Sequence, residues 1–333
     1  MSLITTSAAI ADPELLGSAF AGSPWSTWRS VLAGAEGLPL EDEQLALFRG
    51  VAERDPPAAR VRELWAIAGR RSGKDSIASA IATAAALGDY RAHLRPGELA
   101  TVMCLACDRA QARIVHRYIA GYFSTNSLLA PLVEHETDDG LELTTGVEII
   151  IETNSFRAVR GRTIAAVIFD EVAFWRDEAS ANPDFEVYNA ILPGMVTLPG
   201  AMLIGISTPY RRSGLLFERW RQCYGHDDGD VLVVRGPSTT FNPLMPRRII
   251  DAALERDPEA AASEWLAEWR SDLADFVSRE VVDSVVVSGR YELPPMAGVK
   301  YAAFCDPSGG SSVRHDIGHC TQCGRGRHSR LYP

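Results

Sequence analysis

The chain has 333 residues, 46% of them hydrophobic and 23% charged, enough for a sizeable core and for two domains with a small addition. A net charge of −10 and a pI near 5.3 exclude a protein clothed in basic surface, although a local basic track that holds and releases nucleic acid stays compatible with that balance. The sequence opens on no basic segment followed by an apolar run, and no run of about 18 apolar residues suggests a membrane span. Six cysteines without an export signal fit a reducing compartment, so the expected location is the cytoplasm, with no membrane partner.

Residues 1–60 read as a helical preamble, with one helix starting near Pro24-Trp25-Ser26-Thr27-Trp28 and another from Leu40 to Ala52, closed by the breaker Glu53-Arg54-Asp55-Pro56-Pro57. Residues 61–235 alternate strand and helix: strand Leu64 to Ala68, helix Asp75 to Leu87 ended by Gly88, strand Ala100 to Ala106, helix Arg109 to about Tyr122. A hairpin around Thr145-Gly146 joins Leu141–Thr144 to Val147–Glu152, and Ile164 to Phe169 and Ala201 to Ile206 are further strands. The expectation is an α/β fold, a mostly parallel sheet covered on both faces. Character changes after Val234: residues 236–295 read as linker helices, Pro246 to Leu254 and Pro258 to Asp272, with a turn at Phe241-Asn242-Pro243. A new strand, Val299 to Cys305, follows Pro294-Pro295.

Gly69-Arg70-Arg71-Ser72-Gly73-Lys74-Asp75 lies between a strand and a helix, the setting a phosphate-binding loop needs. Glycines let backbone N–H groups turn toward phosphate oxygens, the helix N-terminus adds its positive end, and Lys74 reaches the β- and γ-phosphates. The loop is one residue shorter between its glycines than the usual form, and Asp75, with Ser76 next, replaces the usual Ser/Thr that holds Mg²⁺. Ala166-Val167-Ile168-Phe169-Asp170-Glu171 is an apolar strand ending in two acids, at the edge where open α/β sheets bind ligands. Asp170 suits Mg²⁺ and Glu171 suits activation of the attacking water. Ser207-Thr208-Pro209, after a third strand, could sense the γ-phosphate or form an ordinary turn.

These three signals in this order resemble the large terminase subunits of tailed bacteriophages. GRRSGKD is similar to that family's arginine-rich Walker A, VIFDE to its Walker B and GISTPYRRSG to its coupling motif; the Trp-rich N-terminal segment, SFRAVRGR and FNPLMP add to the likeness. The resemblance implies a P-loop NTPase fold and hydrolysis of ATP with Mg²⁺. It places Gly69, Ser72, Gly73, Lys74, Asp75 and Ser76 on the nucleotide, Asp170 on the metal, Glu171 as base and Ser207-Thr208 as coupler. Arg70 or Arg71 would stabilise charge, with Arg160 as another candidate, and Gln44 would contact adenine. Arg211-Arg212 and Arg219-Trp220-Arg221 are candidates for a DNA track. The implied partners are double-stranded DNA, a small terminase subunit, a capsid portal and further copies in a ring. The rival readings are another nucleic-acid-dependent P-loop ATPase, such as a helicase, and an inactive prophage remnant.

The same resemblance implies an RNase H-like nuclease after the motor. Residues 296–312 look like its first strand, with Asp306 as a metal-binding acid, but the remaining residues do not supply the other acids, so a truncated, inactive nuclease is expected. Residues 313–333 form an aberrant tail. His315, His319, Cys320, Cys323 and His328 fit no common zinc spacing; a frameshift accounts better for the loss of strand patterning there.

Overall fold

The computed structural model describes residues 4–137, 139–154, 159–175 and 183–270, the positions 284, 286, 297 and 298, and the backbone of 301–305 and 317–321. Met1–Ala274 forms one unit and Asp275–Pro333 another. Asp306, the five His and Cys side chains of the tail, and the segments 155–158 and 176–182 lie outside the described residues.

Eight strands of the first unit build one sheet: β1 (Glu63–Ala68), β2 (Ala100–Ala106), β3 (Val133–Thr137), β4 (Gly140–Leu143), β5 (Val147–Thr153), β6 (Thr163–Asp170), β7 (Met202–Ser207) and β8 (Val231–Gly236). Their order is β3-β4-β5-β2-β6-β7-β1-β8. The strands from β5 to β8 in that order run parallel, and β3 and β4 add on antiparallel. Every residue of β1, β2 and β7 is buried, as apolar runs covered on two sides require. The mixed α/β, mostly parallel architecture is the one expected from the sequence.

The helices are α1 (Thr6–Ala11), α2 (Ser26–Ala35), α3 (Asp42–Ala52), α4 (Lys74–Ala86), α5 (Arg109–Thr125), α6 (Pro183–Ile191), α7 (Leu215–Cys223), α8 (Ser238–Phe241), α9 (Arg247–Arg256) and α10 (Pro258–Leu266). Helices α4 and α5 pack on each other and on the middle strands, while α7 lies against β1 and β8. No helix among the described residues is long and apolar enough to cross a membrane.

Three elements depart from the sequence reading. The strand β8 was not expected. Its apolar stretch is only Val231 to Val234, squeezed between an Asp-rich turn and Arg235-Gly236, yet it pairs with all of β1. Helix α10 stops at Leu266 rather than Asp272, because Ala267 turns left-handed (φ 57°) and tertiary partners take over the next backbone groups. The Ala267 carbonyl accepts Arg235 Nε at 2.7 Å, and the Arg270 N–H donates to the Tyr210 carbonyl at 3.0 Å. In the second unit, β9 (Tyr301–Cys305) pairs antiparallel with β10 (Ile317–Thr321), so strand pairing continues into the tail where it was expected to be lost.

The middle of the sheet is set by one close approach. Trp65 on β1 sits opposite Gly205 on β7, which sits opposite Phe169 on β6. A Cβ on Gly205 would come within 2.1 Å of Trp65 Cε3. Only glycine leaves room for the indole over β7. Gly205→Ala is therefore expected to destabilise by about 3 kcal/mol through overpacking, measured by urea unfolding. Unchanged stability would mean that the indole is not confined there.

Candidate active site

Because β6, β7 and β1 are parallel neighbours, their C-terminal ends open on one edge of the sheet. That edge carries the bend 69–73 after β1, Asp170-Glu171 at the end of β6, and Ser207-Thr208 at the end of β7. The strand β7 lies between the other two, so the Ser-Thr pair separates the bend from the acids.

The bend is held open by side chains from outside it. Three successive carbonyls, those of Arg70, Arg71 and Ser72, accept hydrogen bonds from Ser238 Oγ (2.7 Å), Asn242 Nδ2 (3.0 Å) and Trp28 Nε1 (2.7 Å). In a trans peptide the carbonyl of one residue and the N–H of the next point in opposite directions. Drawing these carbonyls outward thus turns the N–H groups of Arg71, Ser72 and Gly73 inward, toward an anion. Arg71 (φ 60°) and Gly73 (φ 85°) take the left-handed backbone that this curl demands. Gly69 has no room for a side chain, since a Cβ there would meet Ser238 Oγ at 2.3 Å and the Trp265 carbonyl at 2.6 Å. None of the three donors was found by sequence reasoning. Trp28 and Asn242 lie in segments read as a helix start and a turn and counted in the family likeness, with no role given to either side chain, and Ser238 gave no signal.

Lys74 opens α4 as a buried residue, and its Nζ lies 3.0 Å from Glu171 Oε1. The other oxygen of Glu171 accepts Ser207 Oγ at 3.0 Å and the Thr208 N–H at 3.2 Å. Glu171 adopts a left-handed backbone (φ 48°) just after the strand, which turns its carboxylate back toward β7. Asp170 faces the other side of the sheet from Phe169, is 4% exposed, and has an Oδ1 with no hydrogen-bond partner. The Trp175 indole fixes the backbone at this point by donating to the Asp170 carbonyl at 2.8 Å.

The electrostatics are those of a site crowded with acids. Burial, followed by the charges on Asp75 and Glu171, pushes Asp170 up to about 8 despite Lys74 and a Gln111 hydrogen bond. Burial also raises Asp75, with Glu171 adding to the effect and Lys74 and Arg71 opposing it. Burial alone would lower Lys74, but Glu171, Asp75 and Asp170 outweigh it and hold its ammonium above the ordinary lysine range. The buried hydroxyl of Ser72 also lacks a partner. A glycine cradle, one buried ammonium, an orphaned hydroxyl and an orphaned carboxylate oxygen fit a polyphosphate with a hard divalent cation. Among the described residues no group of three or more His, Cys, Asp or Glu forms a metal-holding cluster; magnesium sites that rely on one or two carboxylates plus phosphate oxygens need none.

Other residues singled out from the sequence are placed as follows. Ser76 is half-buried in the first turn of α4. Arg70 is exposed and pairs with Glu264 of α10 at 3.0 Å, while Arg71 is exposed on the bend. Gln44 accepts the Glu41 N–H at 3.1 Å in a reciprocal cap at the start of α3. Arg160 precedes β6, at the edge of the sheet opposite the bend; the eight residues of β6 separate those edges by about 25 Å at the usual strand rise. Arg160 is therefore not brought to this chain's own phosphate bend. Arg211 and Arg212 are exposed. Arg219 belongs instead to a buried polar group: it lies 3.4 Å from Glu63 and its guanidinium covers the Tyr188 ring at 4.7 Å, with Tyr188 donating to Glu63 at 2.6 Å.

No protein-family model and no curated protein matches the sequence. Solved structures do. The large terminase of bacteriophage HK97 matches over 81% of this chain and 58% of its own, at 18% identity and a TM-score of 0.52. The large terminase ATPase domain of Thermus phage P74-26 matches over 71% of this chain and 96% of its own, at 21% identity and a TM-score of 0.47. This chain thus spans little more than half of the HK97 protein. Its mostly parallel eight-stranded sheet, with a glycine-bearing bend after β1, shares its fold with the large terminase of bacteriophage HK97.

Proposed function

We propose that this chain is the ATP-hydrolysing motor part of a phage large terminase, coupling hydrolysis to the movement of double-stranded DNA. The observation that carries this reading is the continuous chain of contacts Lys74–Glu171–Ser207/Thr208 at one edge of a terminase-type sheet. It joins, in one network, the residues that bind phosphate, activate water and report to the next element.

In this reading the inward N–H groups of the bend and Lys74 hold the phosphate chain of ATP. Asp170 would hold a divalent cation, which would supply positive charge against the phosphates. Lys74 leaves Glu171 for the phosphates, which frees the Glu171 carboxylate to take a proton from the attacking water. Ser207 Oγ and the Thr208 N–H keep that carboxylate aimed, so its displacement is felt at the end of β7. The loop beyond passes it on: Ser263 Oγ donates to the Pro209 carbonyl at 2.6 Å, and α10 also touches the bend through Glu264 and Arg70. Arg71 and Arg70 are the charge stabilisers nearest the phosphates, Arg70 only after leaving Glu264. Exposed Arg211 and Arg212 belong to the DNA track. A ring of copies on a capsid portal, served by a small subunit, completes the reading.

The test is ATP turnover by the purified chain with and without double-stranded DNA, beside Lys74→Ala. The parent is expected to hydrolyse ATP faster with DNA. The variant should bind nucleotide about tenfold to a hundredfold more weakly, the value of a charge-assisted bond, and turn over at background. A folded parent with no turnover in either condition removes the proposal.

A further inference from the structure

The position after Lys74 sets this site apart from the general phosphate-loop pattern, in which a Ser or Thr hydroxyl meets the metal. The Lys74–Glu171 contact of 3.0 Å brings the first turn of α4 against the end of β6. Asp75 is the next residue along the helix and Asp170 the preceding one along the strand. Asp75 and Asp170 thus lie on the two segments that this contact joins. The Asp170 carboxylate is 96% buried by its 4% exposure, with an oxygen that nothing in the protein satisfies. A buried carboxylate oxygen without a partner is costly unless a cation meets it.

We propose that Asp75 and Asp170 together hold a hard divalent cation, Mg²⁺ or Mn²⁺, before nucleotide arrives. The proposal deepens the reading of the same site as an ATPase. A hydroxyl at position 75 would leave Asp170 as one carboxylate, too few charges to keep a well-hydrated ion unless phosphate oxygens join it. Two carboxylates at the mouth of the bend provide the second charge from the protein. Oxygen ligands alone favour Mg²⁺ and Mn²⁺ over softer metals. Order of binding is the consequence: the cation is in place first, and the phosphates complete its shell.

Mn²⁺ binding to the nucleotide-free chain, read by electron paramagnetic resonance and titration calorimetry with Mg²⁺ as competitor, tests this. One equivalent is expected in the parent, displaced by Mg²⁺. Asp75→Ser and Asp75→Asn should each weaken it by about tenfold or more, as loss of one charged ligand does, and Asp170→Asn likewise. Thermal unfolding identifies which variants are folded, and the near-isosteric Asp75→Asn guards against a failure of Asp75→Ser to fold. No Mn²⁺ on the nucleotide-free parent, or equal affinity in a folded Asp75 variant, overturns the proposal. Mn²⁺ binding in a parent that never hydrolyses ATP would leave this inference standing while removing the proposed function.

Discussion

Glu171→Gln is expected to lower ATP turnover by about 10²–10⁴-fold, the usual contribution of a positioned general base, while leaving nucleotide affinity equal to or tighter than that of the parent. The second half of the expectation comes from the Lys74 contact. In the free chain the ammonium is tied to Glu171 Oε1 at 3.0 Å, and nucleotide must compete with that bond for Lys74. A carboxamide keeps the size of the side chain and can still accept Ser207 Oγ and the Thr208 N–H. It holds lysine less tightly and takes no proton from water. Single-turnover kinetics and equilibrium binding separate the two effects. If turnover survives within tenfold, the base is another group; if affinity falls in step with turnover, Glu171 serves mainly to bind.

The second large effect concerns Trp28, far from the chemistry in sequence. Its side chain is fully buried, packs on Phe241 with ring centroids 4.3 Å apart and planes tilted by 32°, and donates to the Ser72 carbonyl at 2.7 Å. Trp28→Ala is expected to cost about 3–5 kcal/mol, as removal of a large buried aromatic does. Trp28→Phe keeps most of the packing and loses only the N–H, a cost of about 1–3 kcal/mol for leaving the Ser72 carbonyl unpaired. The pair of variants separates two roles. Urea unfolding should rank alanine well below phenylalanine, whereas nucleotide affinity should already fall in the phenylalanine variant, because the carbonyl that orients the Gly73 N–H is released. Parent-like affinity in Trp28→Phe would show that the bend keeps its curl unaided.

What the sequence disclosed about this protein followed local rules. The apolar runs of β1, β2, β6 and β7, the Ala-rich α4 and the turn at Thr145-Gly146 all carry their signals within a few residues. The period-two alternation of β6 likewise separates Phe169 from Asp170 without any tertiary information. What stayed hidden was decided at a distance. The strand β8 forms because β1, its neighbour, supplies the order that its four apolar residues do not. Ser238 and Asn242 are small polar residues at the two ends of the short α8, and only the arrival of the bend 69–73 makes them donors to it. Arg219 sits in a cluster that sequence treats as surface charge; the buried Glu63 and Tyr188 draw it inward.

The three outward carbonyls have a bearing on how the molecule is made. Their partners lie 44, 168 and 171 positions away along the chain, and contacts between such distant segments form only after long loops have closed. A nascent chain can build β1 and α4 early, yet the cradle between them acquires its grip only once Asn242 has left the ribosome and docked. On the proposed reading, competence to hold a phosphate would thus arrive late in maturation, and a bound nucleotide would act as a latch on a completed molecule.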